Sequence, residues 1–257
     1  MFFNTNINFF NVIYALFLRE IQTRFGSQKM GYFWAVVEPS VQILIFTFIH
    51  AAIGTSNSGY DIAVFIAVGF LSYNFFKNIM MMGMSAFDAN KALFNYRQVR
   101  PIYTIISRIL IEFLIFIFVS SFFLLIAWFF HFDFFPENLL NIILLLAWFA
   151  LFGASLGLLF AIIVSFYETF KKIVNLTTMP LLFTSGLFYS LKDLPQVIIE
   201  ILLYNPVLHF VEAIHANYIN VLDDRYVDYT YMTLWTIVPL FLSLFIYLRS
   251  ERKIITS

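Results

Sequence analysis

The chain has 257 residues, 61% of them hydrophobic and only 12% charged, against roughly 25% charged in an average soluble domain, so a water-soluble globular enzyme is excluded. Fifteen cations balance fifteen acids, so any electrostatic role must come from where charges sit, and no nucleic-acid partner is expected. The absence of cysteine removes disulfides, thiol nucleophiles and thiolate metal sites.

In chain order, the first predicted element runs from about Phe2 to Gly26. Phe10, Ile13, Tyr14, Phe17, Ile21 and Phe25 recur at helical spacing, with Asn11, Ala15, Arg19 and Gln22 opposite, which predicts an amphipathic helix in the interface plane over a segment 1–33. A secretory signal places cations before its apolar run; here they follow it, so the N-terminus is expected to be retained. Arg19, Arg24 and Lys29 are expected to meet anionic headgroups, each contributing about 1 kcal/mol, or to receive an acidic lipid at the cytosolic entrance. Tyr32, Phe33 and Trp34 would anchor the first membrane span.

A spanning helix needs about 20 largely apolar residues. Six such spans are read, approximately Trp34 to Ile53, Ile62 to Met82, Ile102 to Phe130, Leu139 to Phe166, Ile173 to Tyr189 and Tyr231 to Leu248. They form one all-α, polytopic membrane domain over 34–250, followed by a tail, 251–257. The Lys and Arg residues gather in the N-terminal segment, the second and fourth connections and the tail, while the outer loops hold only Lys192 and Arg225. Both termini are therefore expected to face the cytosol. Pro39 predicts a kink in the first span, with Glu38 facing other helices or the cytosolic entrance.

The second connection reads "AFDANKALFNYRQVRP", Ala86 to Pro101. Asp88 is a candidate N-cap, with Lys91, Ala92, Leu93 and Phe94 following as a helical turn or two before Pro101 resets the chain. Phe94 and Tyr96, exposed beside Asn95, Arg97 and Arg100, suggest a protein-docking lever over about 88–101. The long third span puts Arg108 near the headgroups and Glu112 one turn deeper, within reach of Arg108. In the fourth span, Gly153 and Gly157 form a GxxxG face, more often an intrachain packing surface than a dimer seam. The short fifth span carries Pro180 and Gly186 and is followed by 191–219. There, Asp193 with Pro195 and Asn205 with Pro206 each give a cap followed by proline. Two short helices, too short to span, are expected to re-enter from the outer side and shape a gate that includes Lys192, His209 and Glu212.

His209, Glu212 and His215 share a helix face, but HxxExxH is not the HExxH of a zinc hydrolase. A polar stripe is the expected reading, and no metal is assigned. Neither a nucleophile elbow nor a GxxxxGK[ST] loop occurs, so the chain is expected not to be an enzyme and not to hydrolyse ATP by itself. Aromatic faces can support a sliding carbohydrate; Trp34, Tyr73 and Trp128 are the candidates for lining a channel.

Three blocks, "REIQTRFGSQKMGYFWAVVEPS", "ANKALFNYRQVRPIYTIISRILIE" and "LYNPVLHFVEAIHANYI", resemble those of the KpsM-type permeases, the membrane subunits of ABC-2 exporters of group 2 capsular polysaccharide. The resemblance implies six transmembrane helices per subunit, a homodimer in the bacterial inner membrane, and two copies of a KpsT-type cytosolic ATPase that bind ATP and Mg, this chain binding no cofactor. It also implies a lipid-linked polysaccharide as cargo and capsule-export partners in the periplasm and outer membrane. By position, Phe2 to Gly26 would be the interface helix, Asp88 to Pro101 the coupling helix on the ATPase, and Leu191 to Ile219 the periplasmic gate. The alternative is an ABC-2 exporter of O-antigen, teichoic acid or another lipid-linked glycan.

Overall fold

A computed structural model of the chain describes residues 3–25, 31–53, 60–96, 98–132, 136 and 138–256. Among these residues the fold is all helical and contains no strand. In order come α1 (Phe3–Phe25), α2 (Gly31–Ile53), α3 (Ile62–Met84), α4 (Ala86–Asn90) running into a 3-10 turn (Lys91–Asn95), α5 (Pro101–Phe129) and α6 (Leu139–Phe166). Then follow α7 (Phe170–Thr184), a 3-10 turn (Leu191–Asp193), α8 (Gln196–Leu202), α9 (Pro206–Tyr218) and α10 (Tyr229–Thr256).

Helices α2, α3, α5, α6 and α10 are long and apolar enough to cross a membrane. The expected fifth span is shorter than its apolar run: α7 has 15 residues, about 22 Å at 1.5 Å each. It stops before Gly186, whose φ of 72° turns the chain in the left-handed region that glycine adopts freely. Helices α8 and α9 meet at 111°, so neither continues the other.

Helix α3 is the most buried span and packs chiefly on α6. A Cβ added at Gly83 would stand 3.0 Å from the Gly157 Cα, and one at Gly153 would stand 3.0 Å from the Phe76 carbonyl oxygen. The GxxxG face thus brings two backbones of the same chain together, where dispersion replaces the missing hydrophobic drive. Above this seam Phe210 of α9 stacks on Phe149 at 4.7 Å and on Phe152 at 5.5 Å, and Phe76 stacks on Phe149 at 4.6 Å. Trp148 meets Phe210 edge-on and donates to Thr236 Oγ1 at 3.0 Å, tying α6 to α10. By contrast, α2 has few fully buried residues, and α7 buries only Val174 among its residues.

Two expected caps are displaced. Only Ser85 interrupts the chain after α3, so the next helix restarts at Ala86 and Asp88 lies inside it rather than capping it. The 3-10 turn that ends at Asp193 is capped by Ser190. Leu194 and Pro195 are both extended (ψ 148° and 143°), as a residue before proline prefers, and this distance keeps the Asp193 carboxylate from the first turn of α8. Asn205 does cap α9, its side chain accepting from the Val207 N–H at 2.9 Å, with Pro206 in the first turn. Helix α10 continues unbroken to Thr256, so most of the 251–257 tail prolongs that span.

Candidate functional site

Four charged side chains join α1 to α5. Arg108 Nε lies 2.9 Å from Glu20 Oε1, and Arg24 Nη2 lies 2.6 Å from Glu112 Oε1. The partners are four residues apart on each helix, so two successive turns of α1 run alongside two successive turns of α5. Arg108 also donates to the Met82 carbonyl at 3.0 Å and to Ser85 Oγ at 2.9 Å, at the C-terminal end of α3. The expected pairing of Glu112 with Arg108 is corrected: each finds its partner on α1. The expected role of Arg24 at headgroups is corrected too, because its guanidinium is committed to Glu112. The stripe of α1 that meets α5 is Ile13, Leu16, Glu20 and Arg24, while Phe10 and Tyr14 of the predicted apolar face stay exposed. Arg19 remains half-exposed, and Lys29 lies outside the described residues.

Beside this junction a cleft of about 100 Å³ opens between α2, α3 and α5, lined in part by Glu38, Asn74, Lys77, Asn78 and Glu112. Lys77 donates to Asn74 Oδ1 at 2.9 Å, and Asn74 Nδ2 reaches Gln42 Oε1 at 3.5 Å. Pro39 lies inside α2 next to Glu38; Glu38 itself is exposed.

The channel aromatics divide. Trp34 and Trp128 are exposed on α2 and α5. Tyr73 is not available to a channel: its side chain is fully buried and its hydroxyl donates to the Thr178 carbonyl at 2.6 Å, pinning α7 to α3. A large aromatic on the most enclosed helix is drawn to the core, and its hydroxyl must find an acceptor there.

The segment expected to act as a lever is a helical turn followed by a 3-10 turn. Asp88, Lys91, Asn95, Tyr96 and Arg100 are exposed; Arg97 lies outside the described residues. The expectation that Phe94 is exposed is corrected. It is only 4% exposed, packed with Phe87, Ile105, Tyr247 and Ile254, because the end of α10 reaches down to cover it. Tyr247 completes the joint: its hydroxyl donates to Glu251 Oε1 at 2.7 Å and accepts from the Ile102 N–H at 3.4 Å. The exposed lever is thereby fastened to both α5 and α10.

On the opposite side, Asn205 Nδ2 donates to the Thr184 carbonyl and hydroxyl, each at 3.1 Å, joining the start of α9 to the end of α7. His209 Nδ1 accepts from the Asp228 N–H at 3.1 Å, so Nε2 carries the hydrogen given to the Leu203 carbonyl at 2.9 Å. His215 donates from Nε2 to the Phe65 carbonyl at 3.0 Å and stacks on the Phe65 ring. Glu212 is buried between them in sequence, and its Oε2 has no hydrogen-bond partner. Among the described residues no group of three His, Cys, Asp or Glu side chains is placed to hold a metal. In the outer loop, Lys192 donates to the Val221 carbonyl at 2.9 Å and stands 3.4 Å from Asp223, which Arg225 grips. Hydrogen bonding from Arg225, and then from Lys192, holds the Asp223 carboxyl down at about 2.

Charged joints between α1 and α5, a short helical segment fastened to α5 and α10, and a bent helix pair at α8 and α9 make up the site geometry. A sequence model of the ABC-2 type transporter matches residues 11–219. The chain belongs to the ABC-2 type transporter family. It is 34% identical over 248 residues to the polysialic acid transport protein KpsM of Escherichia coli, covering 95% of each chain. It is also 30% identical over 213 residues to the capsule polysaccharide export inner-membrane protein BexB of Haemophilus influenzae, covering 80% of this chain and 78% of that one. Against the capsule polysaccharide export inner-membrane protein CtrC of Neisseria meningitidis serogroup A / serotype 4A, it is 28% identical over 250 residues, covering 95% and 92%.

In this ABC-2 chain, sequence reasoning singled out Glu38 and Glu112 and passed over Lys77. The signal was there: "YNFFKN", Tyr73 to Asn78, puts two amides and a cation on one face of a span. Glu20 was missed because it looked like one charge among several in a soluble-looking segment; only α5 supplies the reason for its burial.

Proposed function

We propose that this chain is the permease subunit of an ATP-binding cassette exporter that moves lipid-linked capsular polysaccharide across the bacterial inner membrane. The observation that carries the reading is similarity over nearly the whole chain to the transport protein KpsM and to two capsule-export inner-membrane proteins. The subunit works as a homodimer with two copies of a separate cytosolic ATPase, which bind the ATP and Mg, and hands its cargo to periplasmic and outer-membrane partners. Both termini face the cytosol, in keeping with the Lys and Arg asymmetry.

The geometry gives this reading a mechanism. The exposed Tyr96 and Arg100 are the residue types that anchor protein interfaces, and the joint of Phe94 with Tyr247 beneath them passes a push into α5 and α10 together. The thinly packed α2 and α7 offer their free faces to the second subunit. An exposed acid on a membrane helix, Glu38, needs a partner or a wet passage, and a second subunit beside α2 provides one. Rotation of the two halves opens a passage between them, and the joined α7 and α9 move as its outer gate.

The test is co-expression with the ATPase and measurement of both complex recovery and surface polymer. Tyr96→Asp with Arg100→Glu is expected to lower both at least tenfold while leaving the chain in the membrane. Full export by this variant would remove the lever assignment, and undiminished export in cells lacking the chain would remove the permease reading.

A further inference from the structure

A lysine near the end of a membrane helix ordinarily extends toward the interface. Lys77 does the opposite. It lies seven residues before the cytosolic end of α3 at Met84, about 10 Å along the axis, and its ammonium turns back one helical turn toward the bilayer centre to Asn74. Asn74 leads on to Gln42 of α2, and Glu38 and Asn78 line the same cleft. No carboxylate among the described residues comes within ion-pairing distance of Lys77, and Glu112, the other acid of the cleft, is held by Arg24. Polar groups gathered at this depth pair with one another, face the bundle interior or line a wet cavity, and they mark substrate pathways.

We infer that this cleft is where a subunit touches the glycan in transit, and that it suits hydroxyl-rich sugars bearing carboxylates. The ammonium has hydrogens left for a sugar carboxylate, Glu38 accepts from hydroxyls, and the amides of Asn74, Asn78 and Gln42 can do either. The cleft is partly open rather than enclosed, so it can meet one edge of a chain and let it move on. Phe75 and Phe116 line the same cleft and offer apolar rings beside its polar groups, while Tyr73 is buried. The inference rests on the permease reading and names the contact point within it.

The experiment places a benzophenone amino acid at Asn78, or at the lipid-facing Leu125 as a control, in the complete exporter. The cells synthesise polymer labelled by a fed radioactive sugar, and adducts are trapped by light. Labelled polymer is expected on the Asn78 probe at least tenfold above Leu125. In parallel, Lys77→Met is expected to cut export at least tenfold with membrane level and ATPase recovery unchanged, and Lys77→Arg to return it to within threefold of the parent. Adducts with phospholipid alone, or wild-type export by Lys77→Met, would overturn the inference. Should Lys77→Met fail to reach the membrane, the adduct on the otherwise intact exporter still decides. Export that persists in Lys77→Met yet stops in the lever variant removes the glycan contact and leaves the permease reading standing.

Discussion

The α3, α6 and α9 seam and the α1 to α5 junction hold helices together by opposite means. The seam is dry: glycines let backbones touch, and four phenylalanine rings fill the space above them. The junction is mixed: two acids and two arginines cross between helices beside an apolar stripe that includes Ile13 and Leu16. Close packing tolerates almost no displacement, because dispersion is lost within about an ångström. Charged side chains can follow a moving partner or exchange it. The seam therefore suits a fixed frame, and the junction suits a part that can shift, as the proposed lever mechanism requires.

The largest effect should come from filling the seam. Gly157→Leu pushes a side chain into the Met80 carbonyl oxygen at 3.0 Å and the Gly83 Cα at 3.2 Å, backbone atoms that cannot rotate away. The cost should exceed the about 1–3 kcal/mol of ordinary overpacking, seen as loss of the monodisperse, protease-resistant protein in detergent. A well-folded Gly157→Leu protein would mean the seam is not the fixed frame.

The junction should show a smaller and reversible effect. Arg24→Glu alone leaves the buried Glu112 facing a like charge, and breaking such a pair costs about 3–5 kcal/mol. The figure should fall at the lower end because Arg24 is partly exposed. Adding Glu112→Arg should recover at least half of the loss in a thermal-stability cycle; it falls short of full recovery because the new arginine sits one turn from Arg108. A swap no better than the single change would show that these charges do not act as a pair.

Smallest of all is the outer loop, which sharpens the comparison by having exposed charges. The Asp223 carboxyl, at about 2, lies below the ordinary aspartate value of about 3.9. Its contribution is thus fully present above about pH 4 and is lost only as the pH falls toward 2. Between pH 5 and 8, Asp223→Asn should leave the pH profile of stability unchanged, and a new slope in that window would contradict the assignment.

Much of the frame was legible in the residues. Apolar runs, the Gly153 and Gly157 spacing and Asn205 before Pro206 are local signals, and local physics decides them. Phe94 and Tyr73 were misread because aromatic character does not say which way a ring faces. The former is covered by a helix end some 150 residues later in the chain, and the latter is enclosed because α3 happens to be central. Asp88 failed as a cap because α4 starts before it, leaving it inside the first turn, and Asp193 failed because the N-cap of α8 is Pro195, two residues later, beyond the reach of its carboxylate.

The sequence alone determined that this chain lives in a membrane, which segments carry its cations, and roughly where most of its spans lie, since each follows from residues within one or two helical turns. Only the tertiary structure decided which charges are spent on one another and which are left over. Glu20, Arg24, Arg108 and Glu112 cancel because two helices distant in sequence lie side by side. Lys77 faces a cleft it shares with Glu38 of α2 without forming a direct ion pair, and electrostatic energy depends on separation in space.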